Sequence, residues 1–306
     1  MQRREFLEFI ALSAASAVLA SRPYHAVIAQ EQPITKKIPS TGAALPVIGM
    51  GTWITFNVGT SEKLRSSRTD ITREFFHRGG GLIDSSPMYG SSEAVVGHAL
   101  SNLNFPKTLF SATKVWTSSE KEGREQIQES RKLWKVNVFD LLQVHNLEGW
   151  EGHLRTLFKM KEKGELRYVG VTTSHGRRHD EVEKIMRQQP LDFIQITYNM
   201  RDRAVEGRLL GLAQDRGIAV IANRPLDGGD LTRRLEGKPL PSWARDVDCQ
   251  NWAQFLLKWV VSHPAITCAI PATSKIEHMR ENMGASRGRM PDAAVREKMI
   301  KHLASL

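Results

Sequence analysis

From about residue 45 onward the chain alternates two hydrophobic patterns. Short, nearly unbroken apolar runs rich in β-branched residues fall at 47–51, 82–85, 109–114, 141–145, 168–172, 193–198, 219–223 and 267–270. Runs of that length, bounded by turn residues, predict strands buried on both faces. Longer amphipathic stretches separate them at 93–102, 123–134, 152–163, 180–188, 206–216, 252–262 and 276–284, and these predict helices. One of them runs out in Lys161-Glu162-Lys163-Gly164, the basic turn and glycine that close a helix. Eight strands alternating with helices predict an α/β protein with a parallel sheet, and the number favours a closed (β/α)8 TIM barrel over an open sheet. A doubly wound nucleotide-binding sheet is the competing arrangement. The first strand runs into Gly49-Met50-Gly51-Thr52-Trp53, which lacks the third glycine, the helix start and the spaced acid of that fold.

Length changes this picture only at the N-terminus. The chain has 306 residues, whereas such barrels occupy ~250 as one domain, so a barrel over 36–306 leaves an extension. That extension begins Gln2-Arg3-Arg4-Glu5-Phe6-Leu7 and continues into an apolar stretch rich in Ala and Ser up to Ala20. It resembles a twin-arginine export signal over 1–29, with cleavage expected after Ala29. The stretch is short of the ~20 apolar residues typical of a membrane span. The expected partner is the export machinery and the expected location periplasmic, or cytoplasmic if the leader does not function. An uncleaved anchor or an attached amphipathic helix is the competing reading.

The formal charge of +10 raises the question of nucleic acid. Basic residues alternate with acidic ones, as in Arg177-Arg178-His179-Asp180-Glu181, without aromatic interleaving, which speaks for a solvated basic surface. The two cysteines, Cys249 and Cys268, form neither a disulfide framework nor a metal spacing, and Cys268 sits in an apolar run that predicts burial. A monomer is expected.

In a barrel the groups that do chemistry stand at the C-terminal ends of strands. Asp84, Lys114 and His145 end three successive apolar runs, and Tyr89 follows Asp84 by five residues on the Ser85-Ser86-Pro87-Met88 loop. Together they can protonate a developing alkoxide. A phenol with a pKa near ~10 gives up its proton more readily beside a cation; Lys114 would lower the pKa of Tyr89, Asp84 would hold Lys114, and His145 would orient the substrate oxygen.

These residues carry a family resemblance. Gly81-Leu82-Ile83-Asp84-Ser85-Ser86-Pro87-Met88-Tyr89-Gly90-Ser91-Ser92-Glu93 resembles the aldo-keto reductase motif with Asp and Tyr five apart before Gly-x-x-Glu. Ser111-Ala112-Thr113-Lys114 is similar to the family's lysine strand, and Asp140-Leu141-Leu142-Gln143-Val144-His145-Asn146 to its histidine strand. The stretch from Lys163 to Thr172 resembles the segment entering the fifth strand. The resemblance covers roughly residues 36–285 and implies reduction of an aldehyde or ketone by NADPH, with NADH as the alternative.

It also implies a cofactor site, where the chain departs from the pattern. Thr172-Thr173 stands where Ser-Asn is common for the carboxamide, and Gln195 matches the glutamine of the sixth strand. Asn223-Arg224-Pro225-Leu226 replaces an aromatic followed by Ser-Pro-Leu, so ring stacking falls to Asn223 or Arg224, the latter equally plausible as an ion-pair partner. Thr273, Ser274 and Lys275 resemble the 2′-phosphate segment, with His278 at a position usually basic; Glu281 and Asn282 resemble adenine contacts. A weakened preference for the 2′-phosphate is expected. Trp53, Phe56, Met88 and Trp116 are candidates for the substrate pocket, and the loop 227–250 for a cover over the cofactor. Two other readings compete: a non-catalytic NADP(H)-binding barrel acting as a sensor or subunit, and an exported binding protein.

Overall fold

Two short antiparallel strands, β1 (Thr35–Lys37) and β2 (Ala44–Pro46), open the computed structural model, which describes residues 32–306. The leader expected at 1–29 lies outside the described residues. The next eight strands are parallel to one another: β3 (Met50–Gly51), β4 (Leu82–Asp84), β5 (Phe110–Val115), β6 (Phe139–His145), β7 (Leu166–Thr172), β8 (Phe193–Thr197), β9 (Ala219–Asn223) and β10 (Ile266–Ala269). Each neighbours the next in sequence, and bridges from Ile48 to Ala269 and from Gly51 to Ala272 bring the first against the last. The result is the expected (β/α)8 barrel.

The helices are α1 (Glu62–His77), α2 (Ser92–Asn102), α3 (Glu120–Trp134), α4 (Trp150–Glu162), α5 (His179–Gln188), α6 (Leu209–Asp215), α7 (Asp230–Arg234), α8 (Trp252–Val261), α9 (Ile276–Gly284) and α10 (Ala293–Ala304). They pack on the outward-facing residues of the strands.

The period of two along each strand decides what faces inward. Leu82, Phe110, Ala112, Leu141, Tyr168, Phe193, Ala219, Ile221 and Cys268 form one buried cluster that fills the barrel, and Ile38 and Leu45 at the β1–β2 hairpin join it. Ile83, Val115, Leu142, Val144, Val169, Val171, Ile194, Ile196 and Val220 alternate with them and belong to the outer cluster with the helices. The hairpin sits against the same interior cluster, where Thr41 Oγ1 lies 2.8 Å from the Tyr168 hydroxyl. Continuing the same parity toward the strand C-termini puts Asp84, Lys114, Gln143, His145, Thr172, Gln195, Thr197 and Asn223 inside, above the apolar filling. All eight are buried.

Three of the differences from expectation have local reasons. The first strand is short because it threads between two neighbours: a Cβ on Gly51 would come within 2.8 Å of the Ile270 carbonyl. The helix expected at 206–216 breaks into a 3-10 turn, Ala204–Gly207, and α6, with Arg208 at φ −145°, outside helical geometry. The hydrophobic pattern predicts neither α7 nor α10, and it misses α1, whose four large apolar residues are too sparse for a strong periodic signal. It forms because Ser61 accepts the Leu64 N–H at its start and Ile71 and Phe75 bury one face.

Candidate active site

Asp84 ends β4, Lys114 lies one residue before the end of β5, and His145 ends β6, so three adjacent parallel strands deliver their side chains to the same end of the barrel. The loop after β4 delivers the fourth. Ser86 accepts the Met88 N–H at 3.2 Å, Pro87 starts a 3-10 turn, and the turn ends on Tyr89. Gly90 then reverses the chain at φ 61°, ψ −121°, and a Cβ there would lie 2.5 Å from the Asn57 carboxamide oxygen. Only glycine meets both conditions.

Lys114 is fully buried and Asp84 2% exposed. Their ion pair is 2.6 Å from Nζ to Oδ2, and the ammonium also donates to the Ser85 carbonyl at 2.8 Å. Nζ lies 5.0 Å from the centre of the Tyr89 ring. The other Asp84 oxygen accepts from Gln195 Nε2 at 2.8 Å and Gln143 Nε2 at 3.2 Å, so the carboxylate is held on both sides. Gln195 Oε1 accepts from the Thr172 hydroxyl at 3.3 Å.

Burial alone would drive the Lys114 ammonium to lose its proton; Asp84 and then Tyr89 outweigh it, and the net direction is upward. Burial pushes the Tyr89 phenol above its usual value, Lys114 opposes that rise, and Asp84 adds to it. The expectation that Lys114 lowers the tyrosine is thus met only as a partial offset, because desolvation of the phenolate is the larger effect. A raised phenol stays protonated and remains a proton donor. His145 is pushed far below the ordinary imidazole value, by burial first and by the Lys114 charge second, so it is neutral. Its ring meets Tyr89 edge-on at 5.7 Å and 84°.

The residues expected to hold a cofactor divide into two groups. Thr172, Thr173 and Asn223 are buried at the ends of β7 and β9, and Gln195 is buried in the middle of β8. Gln195 faces the Asp84 carboxylate. Asn223 accepts from the Thr197 hydroxyl at 2.7 Å and donates to the Thr173 carbonyl at 2.8 Å. It therefore ties three strands together. Arg224 pairs with Asp227 at 3.0 Å while Arg201 takes the other oxygen of Asp227 at 2.9 Å, so the ion-pair reading of Arg224 holds. Pro225 is buried and Leu226 half-buried beside it. After β10, Thr273 and Asn282 are buried, Glu281 is half-buried, and Ser274, Lys275 and His278 are exposed around the start of α9, which has no side-chain cap.

A sequence model described as the aldo/keto reductase family matches residues 47–297, most of the chain and every strand of the barrel. The chain belongs to the aldo/keto reductase family. It is 27% identical over 252 residues to methylglyoxal reductase YeaE of Escherichia coli strain K12, covering 79% of this chain and 86% of that protein. It is 24% identical over 319 residues to the NADH-specific methylglyoxal reductase of the same strain, covering 84% and 95%. Among solved structures, the aldo/keto reductase from Klebsiella pneumoniae in complex with NADP and acetate superposes with a TM-score of 0.70 at 24% identity, over 86% of this chain and 92% of that one. The holo form of aldo-keto reductase AKR11C1 from Bacillus halodurans gives 0.73 at 19% identity, over 89% and 96%.

Within this aldo/keto reductase the four aromatic and apolar pocket candidates separate. Trp53 and Trp116 are 42% and 44% exposed and Met88 is half-buried on the Tyr89 loop. Phe56 is a correction. It is fully buried in the outer hydrophobic cluster with α1 and α2, because the chain after Trp53 turns back on itself through the Phe56 N–H to Thr52 carbonyl bond. The loop 227–250 is not a plain cover either. It contains α7 and a 3-10 turn, Ser242–Val247, and buries Leu231, Leu235, Ala244 and Val247 in the core. Cys268 is buried as expected, and Cys249 is buried too; both are free.

Sequence reasoning passed over Gln143, Ser86 and Glu93 as working residues. Gln143 had a signal: it lies two residues before His145 in an apolar strand and so shares its inward face. Glu93 is 2% exposed and accepts from Thr113 Oγ1 at 2.6 Å, Ser130 Oγ at 3.0 Å and Trp134 Nε1 at 3.0 Å. It pins α2 to α3 and to β5 at Thr113, the residue before Lys114. Nothing local in the sequence marks those long-range partners.

Proposed function

We propose that this aldo/keto reductase reduces small aldehydes or ketones to alcohols with a nicotinamide nucleotide, NADPH in the first place and NADH as the alternative, using Tyr89 as the general acid. The observation that carries this is the fully buried Lys114, paired with Asp84 at 2.6 Å and lying 5.0 Å from the Tyr89 ring. A buried ion pair under a half-buried phenol has little use as a structural strut, since apolar residues fill such space at least as stably. It suits a site where an oxygen acquires negative charge.

Tyr89 holds the proton until that charge develops and then donates it. Lys114 stabilises the phenolate left behind, and Asp84, fixed by Gln143 and Gln195, keeps the ammonium charged and in place. His145, neutral, contributes a hydrogen bond to the carbonyl oxygen. Nicotinamide, when bound, supplies the hydride. Amide and hydroxyl groups at Thr172, Thr173 and Gln195 suit a carboxamide, and exposed Ser274, Lys275 and His278 around the uncapped start of α9 suit a phosphate. A single lysine there, with Ala272 beside it, supports a modest rather than absolute preference for the 2′-phosphate. Export through the leader at 1–29, with Arg3 and Arg4 as its signal, belongs to the same reading.

Methylglyoxal is the first substrate to test, because two relatives are methylglyoxal reductases. Oxidation of NADPH and of NADH is followed at 340 nm with methylglyoxal, aromatic aldehydes and quinones. Turnover with at least one carbonyl is expected; none with any, despite nucleotide binding, would favour the non-catalytic sensor.

A further inference from the structure

We propose that Ser86 is a positioning residue which donates its hydroxyl proton to Nδ1 of His145, so that the ring carries its own proton on Nε2 and offers that N–H to the substrate oxygen. The proposal rests on the catalytic reading above.

It follows from counting hydrogens at a buried oxygen. Ser86 is fully buried, and its Oγ lies 2.9 Å from His145 Nδ1. The same Oγ accepts the Met88 N–H at 3.2 Å. A hydroxyl has one hydrogen and two acceptor positions. If Nδ1 carried the proton, Ser86 would accept from both neighbours and its own hydrogen would face no acceptor among the described residues. Buried polar hydrogens are seldom left so. His145 does not resolve the conflict by taking a second proton, since burial and the Lys114 charge keep the ring neutral. One arrangement satisfies every group: Met88 N–H to Ser86, Ser86 O–H to Nδ1, and Nε2–H left over. Nε2 makes no hydrogen bond to a described residue and is not among the sealed, unpartnered atoms.

The adjacent serine does something else. Ser85 Oγ accepts the Thr52 hydroxyl at 2.9 Å, and its carbonyl takes Lys114. Ser86, by contrast, joins the Tyr89 turn to the His145 ring by hydrogen bonds. The two groups that address the carbonyl oxygen therefore hang on one hydroxyl, which fixes their separation as well as the tautomer.

The test reads the proton directly. In full-chain protein labelled with 15N-histidine, the His145 signals are identified by their loss in His145→Asn. The proposal expects a pyridine-type Nδ1 and a protonated Nε2 in wild type and in Ser86→Thr, and a shift toward mixed tautomers in Ser86→Ala. Ser86→Ala is also expected to lower kcat by about three- to tenfold, the worth of one neutral hydrogen bond, with KM moving less and Ser86→Thr recovering it. A protonated Nδ1 in the wild type overturns the proposal, as does a Ser86→Ala protein with unchanged tautomer and kcat. Because the spectrum does not depend on turnover, an inactive wild type would sink the reductase reading while the tautomer result still decided this one.

Discussion

Replacing Asp84 by Leu should be far more harmful than replacing both members of its pair. Lys114 has no exposed surface, and it donates to Asp84 and to the Ser85 carbonyl. Stranding one member of a buried pair costs about 3–5 kcal/mol. Asp84→Leu also removes the acceptor shared by Gln143 and Gln195, and a buried amide N–H left unpaired adds ~1–3 kcal/mol. Gln195 keeps a contact to Gln143 Oε1 at 3.3 Å, which puts the total near ~4–6 kcal/mol. For a domain of this size each kcal/mol moves the melting temperature by about 2–4 °C, so a fall of about 10–20 °C is expected. Lys114→Met leaves the carboxylate its two amide donors and should cost less. The double variant Asp84→Leu/Lys114→Met buries no charge and should be more stable than Asp84→Leu alone by ~2 kcal/mol or more. Urea unfolding followed by tryptophan fluorescence measures all four proteins. A single variant within about 1 kcal/mol of wild type, or strict additivity in the cycle, would refute the view that these charges are buried and mutually dependent.

Three further predictions test other parts of the account. The folded-state pKa of His145 is far below its unfolded value, and burial, then Arg296, pushes His263 down to about 4; below about pH 6.5 only the unfolded chain binds these protons, so stability must fall as pH falls through that region, and His145→Asn should flatten the slope measured by urea midpoints from pH 7 to 4. Gly51→Ala should destabilise by ~1–3 kcal/mol because its Cβ would meet the Ile270 carbonyl at 2.8 Å, whereas Gly42→Ala, with nothing within 4 Å but φ +73°, should cost only about 1 kcal/mol of backbone strain; equal melting temperatures for the two variants would contradict the packing reading of the barrel seam. Replacing Arg3 and Arg4 by Lys should keep the protein in the cytoplasm on cell fractionation, and unchanged export would remove the twin-arginine reading.

The barrel was legible because its strands are buried on both faces and so read as unbroken apolar runs, each but the first close to its final span. Asp84, Lys114 and His145 were legible for the same reason, since a charged or polar residue at the end of such a run has few bland explanations. Elements held by capping and long-range contacts were harder to read. Helix α1 depends on Ser61 and on Arg68 donating to the Thr55 carbonyl at 2.6 Å, neither of which alters hydrophobic periodicity. Phe56 looked like a pocket residue because it follows Trp53 closely, but a turn between them sends it into the core. Gln195 and Asn223 were expected to face a ligand. Their amides also bind across strands to Asp84 and to Thr197 and Thr173, pairings that depend on barrel closure rather than on neighbours in sequence.

The central claim is that Tyr89 donates the proton. Steady-state NADPH oxidation with methylglyoxal, run beside a fluorescence titration of NADPH binding, compares wild type with Tyr89→Phe. Loss of a positioned general acid should lower kcat by about 100-fold or more while nucleotide affinity stays within about twofold. Equal turnover by the two proteins would contradict the account.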